Sequence, residues 1–319
     1  MSQIKTRFTE TFGIKLPIIG APMFLVSNPE MVSEITLGGG LGVFPTLNCR
    51  SVAELESWID QIESKVGDKP YGVNLIVHKS NDRLLQDLDL VLSRKVSLIV
   101  SSLGDPSKLI SEAHKKNVKV ICDVINLKHG EKALRSGADG LIVVSAGAGG
   151  HAGPLSPFAS LPWFREKFPD KIIVAAGSIS SGTTMAASLC LGADAVSVGT
   201  RFIASKEANV EKGYKDAIVK ATPEDIFMSR ALSGVNASIM KTEHNKDFYE
   251  WDQSLRGQIY QFIYYNLMKK GLKLKKKFSW SNVWSAGQSV GEVSEIVACR
   301  EILSQFETEY REILSSMPK

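Results

Sequence analysis

Eight apolar runs rich in valine and isoleucine recur between residues 17 and 202, at 17–23, 41–47, 71–77, 96–102, 119–125, 140–146, 171–179 and 195–202. Each is followed by an amphipathic stretch or a long loop. A strand with one wet face alternates polar and apolar residues; a near-continuous apolar run marks a strand covered on both faces, as in a parallel sheet. The stretches between, such as SVAELESWIDQIESKV and DPSKLISEAHKKN, carry helical periodicity, with Asn28, Ser51 and Asp105 placed as N-caps. Strand–helix alternation requires right-handed crossovers. Eight units close naturally into a (β/α)8 TIM barrel, with an open doubly wound sheet as the alternative.

After residue 203 the repeat stops. The segments DFYEWDQSLRGQIYQFIYYNLMKKG and WSAGQSVGEVSEIVACREILSQFETEYREILSSM read as helices that do not belong to the eight units. The expected organisation is a barrel of residues 1–206 plus 283–319, with a helical lid subdomain inserted at 207–282 and the last helix rejoining the barrel wall. The formal charge of +4 gives no reason to expect a nucleic-acid partner. The denser lysine run at 269–277 reads first as solvated surface, and otherwise as a dock for an acidic carrier protein. Cys49, Cys122, Cys190 and Cys299 form no CxxC pair, so neither a disulfide framework nor a metal site is expected, and Cys122 and Cys190 read as core thiols. Without a leader-like N-terminus or a long apolar span, the chain reads as cytoplasmic, with no membrane association.

In a (β/α)8 barrel the chemistry lies at the C-terminal ends of the strands. Those ends bring Ala21-Pro22-Met23, Pro45-Thr46, Asn74, Ser101-Ser102, Asp123, Ser145, Gly177-Ser178 and Gly199-Thr200. The last two pairs suit a phosphate, because glycine lets the backbone approach the oxygens and Ser178 and Thr200 add hydroxyls. The loop AGAGGHAG after the sixth run offers a nearly side-chain-free surface on which a planar ring can lie, with His151 over or beside it. Its GxGxxA string is no dinucleotide fingerprint, since Pro154 and Pro157 follow where a helix should open. A phosphate at the last two strands and a flat ring near the sixth describe FMN. No lysine stands at a strand end for Schiff-base chemistry, and Asp123 is open between a ligand, a base and a polar core group.

GAPM, GVNL, AGAGGHAG, AAGSI, GADAVSVGTRF and WSAGQSVG occur in this order, and the sequence resembles the nitronate monooxygenase family, FMN-dependent TIM-barrel oxidoreductases whose superfamily also includes enoyl-ACP reductases and NADH:quinone reductases. The resemblance implies non-covalent FMN, with its phosphate at Gly177, Ser178, Gly199 and Thr200 and its ring near Ala21, Met23, Asn74, Gly149 and Gly150. It makes His151 catalytic and sets Gln288 and Ser289 on the substrate side. Some members carry a basic residue where Asp123 aligns; Asp123 is grouped here with the cofactor-side residues. The implied reaction is oxidation of an alkyl nitronate by O2 to a carbonyl compound and nitrite. The alternatives are an NAD(P)H-dependent reductase of an enoyl thioester or quinone, with NAD(P)H docking transiently, and a flavin-binding module without turnover. A homodimer is compatible with the sequence.

Overall fold

The computed structural model describes residues 3–78, 80–269, 278–281 and 283–316. Strands β1 (Ile18–Gly20), β2 (Leu41–Pro45), β3 (Gly72–Ile76), β4 (Leu98–Ser102), β5 (Lys119–Val124) and β6 (Gly140–Val144) are followed by a two-residue strand, β7 (Gly150–His151). Then come β8 (Ile172–Ala176) and β9 (Ala195–Val198). All but β7 pair in parallel in the order β1-β2-β3-β4-β5-β6-β8-β9, and β1 returns to β9 with Ile19 opposite Ser197, so the barrel is closed. Each expected run contains one barrel strand.

Helix α1 (Arg7–Phe12) precedes the barrel. Between strands run α2 (Pro29–Leu37), α3 (Val52–Val66), α4 (Leu84–Leu92), α5 (Ser107–Lys115), α6 (Leu127–Arg135), α7 (Pro157–Lys167) and α8 (Gly182–Cys190). Asn28 caps α2 through the Met31 amide and Ser51 caps α3 through the Glu54 amide. Asp105 stands one residue outside the cap of α5, where Pro106 takes the cap position, and its carboxylate accepts from the Ser107 amide.

Side chains alternate along a strand, so every second residue points inward. The barrel interior is filled by Ile19, Leu41, Val43, Leu98, Val100, Ile121, Ile142, Ile172, Val174 and Ala195. Its floor is sealed by Phe8, Phe12 and Ile14 from α1 and the turn after it. Thr6 and Thr9 form the capping box of α1, and Gly13 ends it in the left-handed region. The intervening residues, among them Val73, Ile99, Val120, Cys122 and Val143, face outward into the layer beneath the helices.

After the short α9 (Thr200–Ile203) the chain leaves the barrel, with a bridge between Ser205 and Val297 at the foot of the excursion. The excursion holds α10 (Lys212–Lys220), an antiparallel pair β10 (Ile226–Ser229) and β11 (Ala237–Met240), α11 (Lys246–Gln253) and α12 (Leu255–Lys269). It is therefore not made of helices alone, and β11 also pairs with β7. The final helix, α13 (Cys299–Ser316), packs on α8 and α2 and completes the helical ring. Beyond Lys269, the lysine-rich run lies outside the described residues. Cys190 is exposed, contrary to expectation, because it is the last residue of α8 on its solvent side; Cys122 is buried.

Candidate active site

The inward positions at the strand ends form the uppermost layer of the barrel. Parity carries Val100 to Ser102 and Ile121 to Asp123, and places Asn74, Val144 and Ala176 on the same inner side. One half of the mouth is thus polar and the other small and apolar. Across the polar half, Asn74 Nδ2 donates to Ser102 Oγ at 2.7 Å and Ser102 Oγ donates to Asp123 Oδ2 at 2.5 Å. Asn74 Nδ2 also donates to the Val100 carbonyl at 3.0 Å, so this amide is held by two partners. Burial pushes the Asp123 carboxyl up to about 6, against the opposing effect of the Ser102 hydroxyl.

The glycine loop closes on the neighbouring strand ends through contacts only glycine permits. A Cβ on Gly147 (φ 83°) would stand 1.9 Å from Ser178 Oγ; one on Gly177 (φ 115°) would stand 3.0 Å from the Ala146 carbonyl oxygen and 3.1 Å from the Ala148 amide. A Cβ on Gly149 would lie 2.9 Å from the Gly287 nitrogen and 3.4 Å from Thr200 Oγ1. From the other side, Gly287 donates to Thr200 Oγ1 at 2.9 Å, and the Gln288 amide donates to the Gly147 carbonyl at 2.9 Å. Positions 147–150, 177–178, 199–200 and 287–288 are therefore one assembly. Ala21 and Met23 reach it too, 3.6 and 3.5 Å from where a Gly199 Cβ would be.

This rim fits a phosphorylated, planar group. Ala21, Met23, Gly147, Gly150, Ala176, Gly177, Ser178 and Gly199 are all half-buried, so the surface is open and nearly without side chains. Ser178 holds the left-handed region (φ 57°) without being glycine, a conformation that turns its amide and hydroxyl at the strand tip.

His151 lies where barrel and excursion meet. β7 pairs it with Ala237 of β11, and its Nε2 is 2.7 Å from Ser233 Oγ in the turn between β10 and β11. The Trp280 ring lies 5.5 Å away, edge to face. The imidazole is exposed. The loop beneath it is tied by Ser285, whose hydroxyl accepts from the Gly150 amide and donates to the Ser238 carbonyl.

Gln288 is exposed beside Gly147, whereas Ser289 is buried, and its carbonyl accepts from Ser180 Oγ at 3.0 Å. Sequence reasoning did not find Ser233, Trp280, Ser285 or Gly287. Ser285 and Gly287 lie inside the WSAGQS string; Ser233 and Trp280 carried no signal and reach the site through the folded excursion. Among the described residues no group of three or more His, Cys, Asp or Glu side chains is arranged to hold a metal ion.

The closed parallel barrel, with a glycine-built rim and an imidazole beside it at the mouth, is a TIM barrel. The sequence profile of the nitronate monooxygenase family matches residues 5–86 and 80–309, and the chain belongs to that family. It is 27% identical to the (3aS,4S,5R,7aS)-5-hydroxy-7a-methyl-1-oxo-octahydro-1H-indene-4-carboxyl-CoA dehydrogenase of Rhodococcus jostii over 95% of each chain. A probable nitronate monooxygenase of Staphylococcus saprophyticus is 26% identical, with 90% of this chain and 92% of that one covered. Among solved structures, FabK from Thermotoga maritima superposes with a TM-score of 0.83 at 28% identity, covering 98% of each chain. The nitroalkane oxidase of Streptomyces ansochromogenes, at 20% identity and a TM-score of 0.79 over 98% of this chain and 99% of that one, shares the fold.

Proposed function

We propose that the protein binds FMN at this rim and oxidises alkyl nitronates with O2 to a carbonyl compound and nitrite. The observation that carries the reading is the single assembly of 147–150, 177–178, 199–200 and 287–288, which joins phosphate-type donors and a flat seat, with the His151 imidazole beside it. Gly177, Ser178, Gly199 and Thr200 would hold the phosphate; Ala21, Met23, Asn74, Asp123, Gly149 and Gly150 would border the ring. FMN, when bound, supplies the redox chemistry.

The chain's own residues bind, orient and manage the proton. The His151 imidazole, whose ring nitrogens can donate or accept a proton, orients the nitro group or accepts the α-proton if the neutral nitroalkane enters. Ser233 holds Nε2 and so limits rotation of the ring. Gln288, exposed beside Gly147, faces the substrate side, and the excursion over His151 acts as the lid that limits water. The loop's amides favour negative charge near the rim.

The second reading, an NAD(P)H-dependent FMN reductase of an enoyl thioester or quinone, draws support from two similarities: to FabK, and to a dehydrogenase whose named substrate is a CoA thioester. One experiment separates the two. The purified protein should show a flavin absorption spectrum. Adding a nitronate in air should consume O2 and release nitrite, while NADH or NADPH under nitrogen should leave the flavin oxidised. Rapid bleaching by either nucleotide, with no nitrite released, would establish the reductase instead.

A further inference from the structure

Among the described residues, Asp123 is the one acidic group of the barrel's inner surface at the mouth, and no cation pairs with it. Every inward neighbour at its level is uncharged. They are Asn74 from β3, Ser102 from β4, Val144 from β6, Ala176 from β8, Ser197 from β9, Ala21 after β1 and Pro45 from β2. On its own strand the Cys122 thiol faces outward and is neutral, burial pushing it up to about 12. In the loops above, the His78 ring is engaged with Ser80 and the His151 ring with Ser233. The hydrogen-bond chain is directional. Asn74 donates to Ser102 and Ser102 donates to Oδ2, while Oδ1 accepts from no group among the described residues.

One hydroxyl donor is little for a carboxylate that loses its water. Asp123 is only half-buried, so a planar ligand across the mouth would strip its remaining solvent, and an uncompensated charge there is costly. Apart from its one N3–H donor, the polar edge of a flavin ring presents carbonyl oxygens and unprotonated nitrogens, acceptors that a carboxylate repels and a carboxylic acid satisfies.

We propose that Asp123 takes up a proton when the flavin binds and holds it on Oδ1, as a donor to the ring. The proposal rests on the flavin reading above and adds to it a proton coupled to cofactor binding. In the free protein burial already lifts this carboxyl to about 6, so it is largely ionised at pH 7.5 and the proton must come from solvent. The sign follows: FMN affinity is greatest below pH 6 and falls about tenfold per pH unit above it, until the bound-state value is passed.

The test is calorimetric titration of FMN into the flavin-stripped full chain at pH 7.5, in two buffers of different protonation enthalpy. The wild type should take up close to one proton more per FMN than Asp123→Asn. Any proton exchanged by the FMN phosphate is common to both and cancels. An equal proton count in the two proteins overturns the proposal. If the variant fails to fold, titration of the wild type with riboflavin, which lacks the phosphate, from pH 6 to 8 decides: falling affinity supports the proposal, constant affinity overturns it. Failure of the wild type to bind FMN at all would instead overturn the flavin reading, and this proposal with it.

Discussion

The His151 imidazole is held from above by Ser233 and seated from below on a loop whose amide is tied to Ser285. It can therefore be removed without disturbing the rim, because none of the glycine contacts passes through it. His151→Ala should keep the flavin spectrum and lose about 10²–10⁴-fold in kcat/KM for a nitronate. Full activity in this variant would show that the histidine is only a loop residue and would favour a flavin-binding module. The glycines carry the opposite expectation. A valine at Gly149 must enter space within 2.9 Å of the Gly287 nitrogen. Overpacking of this kind costs about 1–3 kcal/mol where it can be relieved, and relief here moves the rim. Gly149→Val should be purified nearly colourless, with a melting temperature lowered by only a few degrees, as absorbance and calorimetry would show together.

At the scale of elements, α13 decides how firmly the ring is closed. It lies so close to α8 that a Cβ on Gly182 would come within 2.3 Å of the Phe306 carbonyl oxygen. Gly182→Leu should separate the two helices and lower stability by about 2–4 kcal/mol, read as an earlier urea midpoint. Glu307 of α13 accepts from Lys15 Nζ and from Arg311 Nη2. Burial works against its charge, but Lys15 and Arg311 outweigh it and hold the carboxyl below the usual glutamate range. A carboxyl lowered on folding stabilises the fold above its unfolded value, near 4.5, and that contribution disappears as pH falls through the lower folded value. Both cations are partly exposed, so the contribution is about 1–2 kcal/mol. Glu307→Gln should melt earlier than wild type at pH 7, and the gap should narrow as pH falls below 4.5.

For the whole molecule, the excursion and the barrel share one small sheet, β10-β11-β7, through which the lid reaches His151. Only two residue pairs join β11 to β7, Ala237 with His151 and Ser238 with Gly150, whereas β3 to β6 are paired on both sides within the closed barrel. Local opening follows the number of interactions that must be broken. Amides at 226–240 and 150–152 should lose hydrogen-exchange protection in mild urea before those of β3–β6. Simultaneous loss would make lid and barrel one cooperative unit. No described helix is long and apolar enough to cross a membrane.

The barrel was legible in the amino-acid sequence because a strand covered on both faces must be apolar throughout, which leaves a continuous run. The strand ends were legible for the same reason, since glycines, Asn74 and Asp123 interrupt those runs at the rim. The hairpin was not. IFMS and ASIM are short, the first lies near the surface, and their third strand is the dipeptide Gly150-His151, which carries no strand signal of its own. Local composition thus determined the eightfold repeat and the glycine-lined strand tips, since burial and backbone approach act on residues one at a time. Tertiary structure alone decided that Ser233 and Trp280 meet His151, that Gly287 fills the space left by Gly149, and that Asp123 meets no cation among the described residues. Those relations depend on which distant segments closure of the barrel brings within contact distance.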